Sequence, residues 1–156
     1  MNDEITPKQA LTLLISLLVV ALCGIVYELI IGTISSYLLG NSVYQFSITI
    51  GLFMFSMGVG SYITKHFNNQ FIENFVAVEM LIAIVGGLSG IILFTVFPFA
   101  RIFYELTMYA TIFVIGCLVG MEIPILTSLL ALQSGTKQTV ADVLSFDYLG
   151  ALIGSV

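Results

Sequence analysis

Charged side chains make up only 8% of this sequence, against about 25% in ordinary soluble domains. So few charges cannot clothe a water-facing surface around a single core, and a soluble enzyme or a secreted scaffold is excluded. Basic residues are scarcer still: four Lys and Arg face nine Asp and Glu, a net charge of −5. Such a chain offers no basic patch for nucleic acid. The two cysteines, Cys23 and Cys117, both sit inside apolar runs, so neither a disulfide framework nor a metal cluster is indicated. The one histidine, His66, lies in a polar stretch, which leaves no Ser-His-Asp set. No phosphate-cradling glycine loop, no dinucleotide fingerprint and no H-E-x-x-H pair occurs. The sequence therefore specifies no catalytic centre, no metal site and no cofactor site.

What it has instead is apolar length. Hydrophobic residues account for 59% and the mean hydropathy is +1.13. A crossing helix needs about 20 mostly apolar residues. Four stretches meet this, at about 10–39, 43–64, 72–97 and 101–132, and a fifth apolar run occupies 139–156. The expected fold is an all-α membrane bundle of four full helices and the start of a fifth, forming a single transmembrane domain over 1–156 with the lipid bilayer as its surroundings. With no polar tail, no closing Lys or Arg and no helix stop signal after the fifth run, the expectation is a truncated piece of a longer protein. Local signals set the boundaries. Thr6, Pro7 and Gln9 read as a helix start. Gly40-Asn41-Ser42 reads as a tight turn, Pro98 as a stop, Gln133-Ser134-Gly135 as another, and Thr139 to Asp142 as a capping box. Lys8, Lys65 and Lys137 would fall on one side and Arg101 on the other, which places the N-terminus in the cytoplasm. Phe94, Phe97, Phe99, Phe103 and Tyr104 would form an aromatic belt at the outer turn.

Lipid gives helices no hydrophobic reason to associate, so small residues mark the packing faces. Gly24, Gly32 and Ser36 share a face of helix 1 with Glu28. Gly86 and Gly90, Gly116 and Gly120, and Gly150 and Gly154 form GxxxG pairs, the second continued by Pro124 and Ser128. Helix 2 carries Gly51, Gly58 and Gly60. These pairs serve either the bundle itself or a homo-oligomer.

Glu28, Glu122 and Asp147 fall deep inside apolar runs, with no Lys or Arg at comparable depth. A charge at the bilayer centre costs about 2.5–3.5 kcal/mol on insertion scales. Two outcomes are allowed: the acids are protonated and bond other helices, or they face a wet cavity that takes an external cation. Pro124 lacks an N–H, so the Gly120 carbonyl loses its helical donor, and broken helices beside carboxylates hold cations in transporters. Glu122 points away from the Gly116–Gly120–Pro124 stripe. A pocket between helices 1, 4 and 5 is the expectation. Glu73, Glu79 and Glu105 read as interfacial groups near helix starts, and Asp142 as a cap.

Four segments then line up with one family. Tyr27-Glu28, Gly58-Val59-Gly60-Ser61, Gly120-Met121-Glu122-Ile123-Pro124 and Asp147-Tyr148-Leu149-Gly150-Ala151-Leu152 resemble the membrane half of bacterial membrane-bound spermidine synthase-like proteins. The Gly-x-Glu-x-Pro and Asp-Tyr-x-Gly-Ala-Leu segments are the specific ones. The resemblance covers essentially the whole chain but only the N-terminal part of the family's architecture. It implies the bacterial cytoplasmic membrane, with further helices and then a soluble domain that moves an aminopropyl group from decarboxylated S-adenosylmethionine to putrescine. That domain's glycine-rich loop and catalytic aspartate are absent here. A polyamine or other small cation becomes the expected guest of Glu28, Glu122, Asp147 and Tyr27, with proton-coupled transport as a related reading. The alternative is a structural anchor for an aminopropyltransferase domain outside this chain.

Overall fold

The computed structural model describes residues 7–67, 71–134 and 136–156, and among them every regular element is helical. Helix α1 spans Pro7–Leu39, α2 Ser42–Ile63, α3 Phe71–Val96, α4 Arg101–Ser134 and α5 Thr136–Gly154. A 3₁₀ turn, Thr64–His66, follows α2. The proposed Thr6 cap and the Gly135 stop lie outside the described residues.

Helices α1 to α4 are each long and apolar enough to cross a membrane. Their outer faces carry the large side chains that water would not tolerate, among them Met54, Phe55, Met80, Ile91, Ile102 and Leu106, all exposed. In lipid this is the low-energy arrangement, because the backbone bonds are satisfied within each helix. The polar minority turns inward: α2 buries Gln45, Thr49, Ser56 and Gly60 around a single large side chain, Phe53.

The first hairpin shows how few residues a reversal needs. Gly40 and Asn41 both adopt left-handed backbone, with φ of 76° and 52°. Glycine has no Cβ to clash there, and asparagine tolerates the region. The Asn41 Oδ1 then accepts from the Tyr44 N–H at 3.3 Å and caps α2.

Helix α4 is the hub, touching all four of the others. It is the most buried of the four candidate spans, with an inward face running from Tyr104 and Met108 through Ile112 and Ile115 to Leu126. Glycines allow its closest contact, with α2. A Cβ on Gly116 would press on Ser56, one on Gly120 would overlap the Met57 backbone, and one on Gly60 would overlap the Cys117 carbonyl. Backbones this near gain dispersion contacts that larger residues would forbid. Helix α5 lies on α1, Gly150 over the Leu18 carbonyl and Gly154 over that of Leu22. Helix α3 meets α1 where the Tyr27 ring covers Gly86 and Ile34 approaches Gly90. Gly24 faces Val119 of α4, and Gly32 faces the Phe46 ring of α2. The GxxxG pairs thus face neighbours within the chain. A homo-oligomer would have to use other surfaces, and Gly51 and Gly58 of α2, expected to help packing, meet open space.

Several local readings need correction. Helix α5 begins at Thr136, so Thr139 is inside the helix and buried, not a cap. Likewise α4 runs through the polar Gln133 and Ser134 before ending. Tyr104 does not join the aromatic belt. It is fully buried, its hydroxyl 2.9 Å from Ser35 Oγ, its ring edge-on to Phe97. A phenol inside a bundle is stable once its O–H has a partner, and α1 supplies one. The neighbouring Phe94, Phe97, Phe99 and Phe103 are exposed, as a belt requires.

Candidate functional site: carboxylates inside the bundle

Glu122 is the centre of the site. It sits on α4 and is 1% exposed, and its Oε1 is buried without a hydrogen-bond partner. The sequence dictates this orientation. Gly116 and Gly120 commit one side of α4 to α2, so a residue two positions on from Gly120 faces the far side, toward α3 and α5. There Glu122 comes within electrostatic reach of Glu79 on α3 and Asp147 on α5.

The helix register explains why these three meet. Gly24 of α1 lies beside Val119, and α1 and α4 are antiparallel, so Glu122 stands at about the height of Ala21. Gly150 lies over Leu18 and α5 runs parallel to α1, so Asp147 stands near the height of Ile15. Glu79 shares a cleft with Thr12, Ile15, Ser16, Val19 and Val20. All three acids therefore occupy one slab of the bundle, within about 9 Å of height at 1.5 Å per residue. Glu28 stands outside it. It lies one turn beyond Gly24, roughly 10 Å above the level of Glu122. Glu28 is half-buried, as is Asp147, and Tyr27 packs its ring on Gly86.

Three negative charges in such a setting require protons or an external cation. The described basic side chains do not supply one. Lys8 and Lys65 are exposed, Lys65 lying over the Tyr62 ring at 4.3 Å, and Arg101 is paired with Glu105 at 2.8 Å near the opposite end of α4. Pro124 follows within the same turn as Glu122 and removes the N–H that would serve the Gly120 carbonyl. The slab thus offers carboxylate oxygens, all acceptors when ionised.

Glu79 is the residue that sequence reasoning placed at the interface. Its Oε1 is buried and unpartnered, like that of Glu122. A signal was present: Phe75, Val78, Ile82, Gly86, Ser89 and Leu93 form the inward stripe of α3, and Glu79 falls within it. Gln45 and Thr49 were also missed. Both are buried on the inward face of α2, and Gln45 Oε1 and Thr49 Oγ1 have no partner. An unpaired buried hydroxyl costs about 1–3 kcal/mol, so the near-isosteric Thr49→Val should leave the unfolding midpoint unchanged or raise it. A clear fall in the midpoint would show that the hydroxyl has a partner.

Comparison with known proteins gives a consistent result. The polyamine aminopropyltransferase of Leptospira interrogans is 45% identical over 144 residues, covering 92% of this chain and 29% of that protein. Polyamine aminopropyltransferase 2 of Ralstonia nicotianae is 43% identical over 146 residues, covering 92% and 29%. Polyamine aminopropyltransferase 1 of Streptomyces coelicolor is 38% identical over 156 residues, covering 99% and 29%. No family model matches, and no solved structure does. The chain thus spans less than a third of the length of these relatives. Over nine-tenths or more of its length the chain is thus similar to one part of these polyamine aminopropyltransferases.

Proposed function

We propose that this bundle is the membrane domain of a polyamine aminopropyltransferase-like protein, and that it binds an organic polycation at Glu122, Asp147 and Glu79. The observation that carries the reading is the Glu122 oxygen, buried and without a hydrogen-bond donor, in reach of two further acids. An ammonium group is a cluster of donors carrying positive charge, the chemical complement of that set. Glu28, about 10 Å further along the axis, would serve a second ammonium of the same guest. Tyr27, next to it, would present an aromatic face to the aliphatic spacer.

The relatives' names speak of polyamine substrates, and the helical domain on this reading serves a transfer reaction performed elsewhere. The chain itself carries no glycine-rich nucleotide loop. We assign the N-terminus to the cytoplasmic side of a bacterial inner membrane, since that keeps Lys8, Lys65 and Lys137 inside.

Titration calorimetry of the purified chain in detergent, with putrescine and with spermidine, tests the reading. Glu122→Gln should weaken binding roughly tenfold or more, because a hydrogen bond to a charged group contributes about 1.5–3 kcal/mol. Asp147→Asn should weaken it less, since Asp147 is only half-buried. Unchanged affinity in both variants would leave a hydrophobic tether with neutral acids as helix glue.

A further inference from the structure

The acid slab is not sealed. Between α1 and α3 a cleft of about 330 Å³ opens on the bundle's flank, lined by Thr12, Ile15, Ser16, Val19 and Val20 and by Glu79. Its walls are mostly apolar, and its polar groups are two hydroxyls and one carboxylate. Thr12 donates its own proton to the Lys8 carbonyl at 2.9 Å, which leaves its oxygen lone pairs free to accept. The Glu79 Oε1 is buried without a partner, and Glu79 is also in reach of Glu122. One side chain therefore belongs both to a cleft open from outside and to the buried acids.

We infer that the α1–α3 cleft is a binding site for an aliphatic primary ammonium, held by Glu79, and the point from which it reaches Glu122. The ammonium donates to the Glu79 carboxylate and to the Ser16 or Thr12 oxygen. Its methylenes lie on Ile15, Val19 and Val20. The chemistry of the lining selects this class. A hard metal ion takes about six or more oxygen ligands, and the cleft side chains provide too few. A neutral hydrocarbon would leave the carboxylate unpaired. Only a group with a charged head and an apolar stem satisfies both halves. The same head and stem occur in a free alkyl diamine and, as an aminoethyl headgroup, in a phospholipid. This inference rests on the acid slab as a cation site, but it adds a residue, Glu79, and a way in.

The sequence contains no tryptophan, so Val76→Trp, at an exposed position of α3 one turn before Glu79 and outside the lining, places a single reporter beside the cleft. The purified full chain with this substitution is titrated with 1,4-diaminobutane and with butylammonium chloride. Indole emission should shift saturably. Adding Glu79→Gln should raise the half-saturating concentration at least about tenfold, with Glu79→Asp restoring part of it. Circular dichroism confirms that each variant keeps its helices. In vesicles, a response that needs phosphatidylethanolamine in place of phosphatidylcholine, and that Glu79→Gln removes, supports the site and identifies the lipid amine as its source. A saturable shift that Glu79→Gln leaves intact overturns the inference. So does flat emission while calorimetry still registers amine binding sensitive to Glu122→Gln, and in that case the deep site stands without the cleft.

Discussion

Gly120→Leu is expected to prevent the bundle from assembling. A Cβ at that position would coincide with the Met57 backbone of α2, its carbonyl oxygen included. Overpacking against flexible side chains costs typically 1–3 kcal/mol, but here the obstacle is a helix backbone that can yield only if α2 moves bodily. The contact is the main seam of the hub helix, flanked by Gly60 and Gly116, so moving α2 also opens those contacts. The variant should keep much of its helical dichroism, because each helix satisfies its own backbone bonds, yet lose its unfolding transition and its single gel-filtration peak. Gly51→Leu is the contrast. That residue faces open space, and the variant should unfold at the parent midpoint. Equal midpoints for the two variants would mean that α2 and α4 do not meet at these glycines.

Glu122→Met is expected to stabilise the bundle while abolishing cation binding. Methionine fills similar space with no oxygen to satisfy, so the change removes the penalty of a buried unpartnered acceptor, about 1–3 kcal/mol. It also removes a group that insertion into lipid disfavours. A gain in the denaturant midpoint together with lost response to putrescine would mark Glu122 as a residue retained at the expense of stability. A loss of stability would show that the carboxyl is a structural hydrogen-bond donor, in keeping with the anchor reading.

Much of the architecture could be read from composition and period, and particular residues show where the reading ran out. The helices fall within three residues of the expected bounds, because apolar length and Gly40-Asn41 or Pro98 are strong local signals. The pointing of Glu122 was legible too, since the angle from Gly120 follows from the helix alone. Registers between helices were not. Whether Glu28 or Glu79 shares a level with Glu122 depends on how far α1 and α3 slide past α4, and that is settled by Gly24 against Val119 and Tyr27 against Gly86. Thr139 misled for a related reason: a Thr-x-x-Asp pattern signals a cap only where the chain turns, and here the helix had begun at Thr136. Tyr104 misled because an aromatic near a helix end suits the interface, and the opposing Ser35 is visible only in three dimensions.

Helix α5 makes its main contact with α1, which is synthesised first of these five helices. On the ribosome α1 must therefore wait in the bilayer, its Leu18 and Leu22 groove unfilled, until Gly150 and Gly154 emerge. A quality-control protease would have that interval in which to act. Bulky residues at Gly150 should accordingly lower the steady-state amount of protein in the cell more than they impair whatever molecules escape.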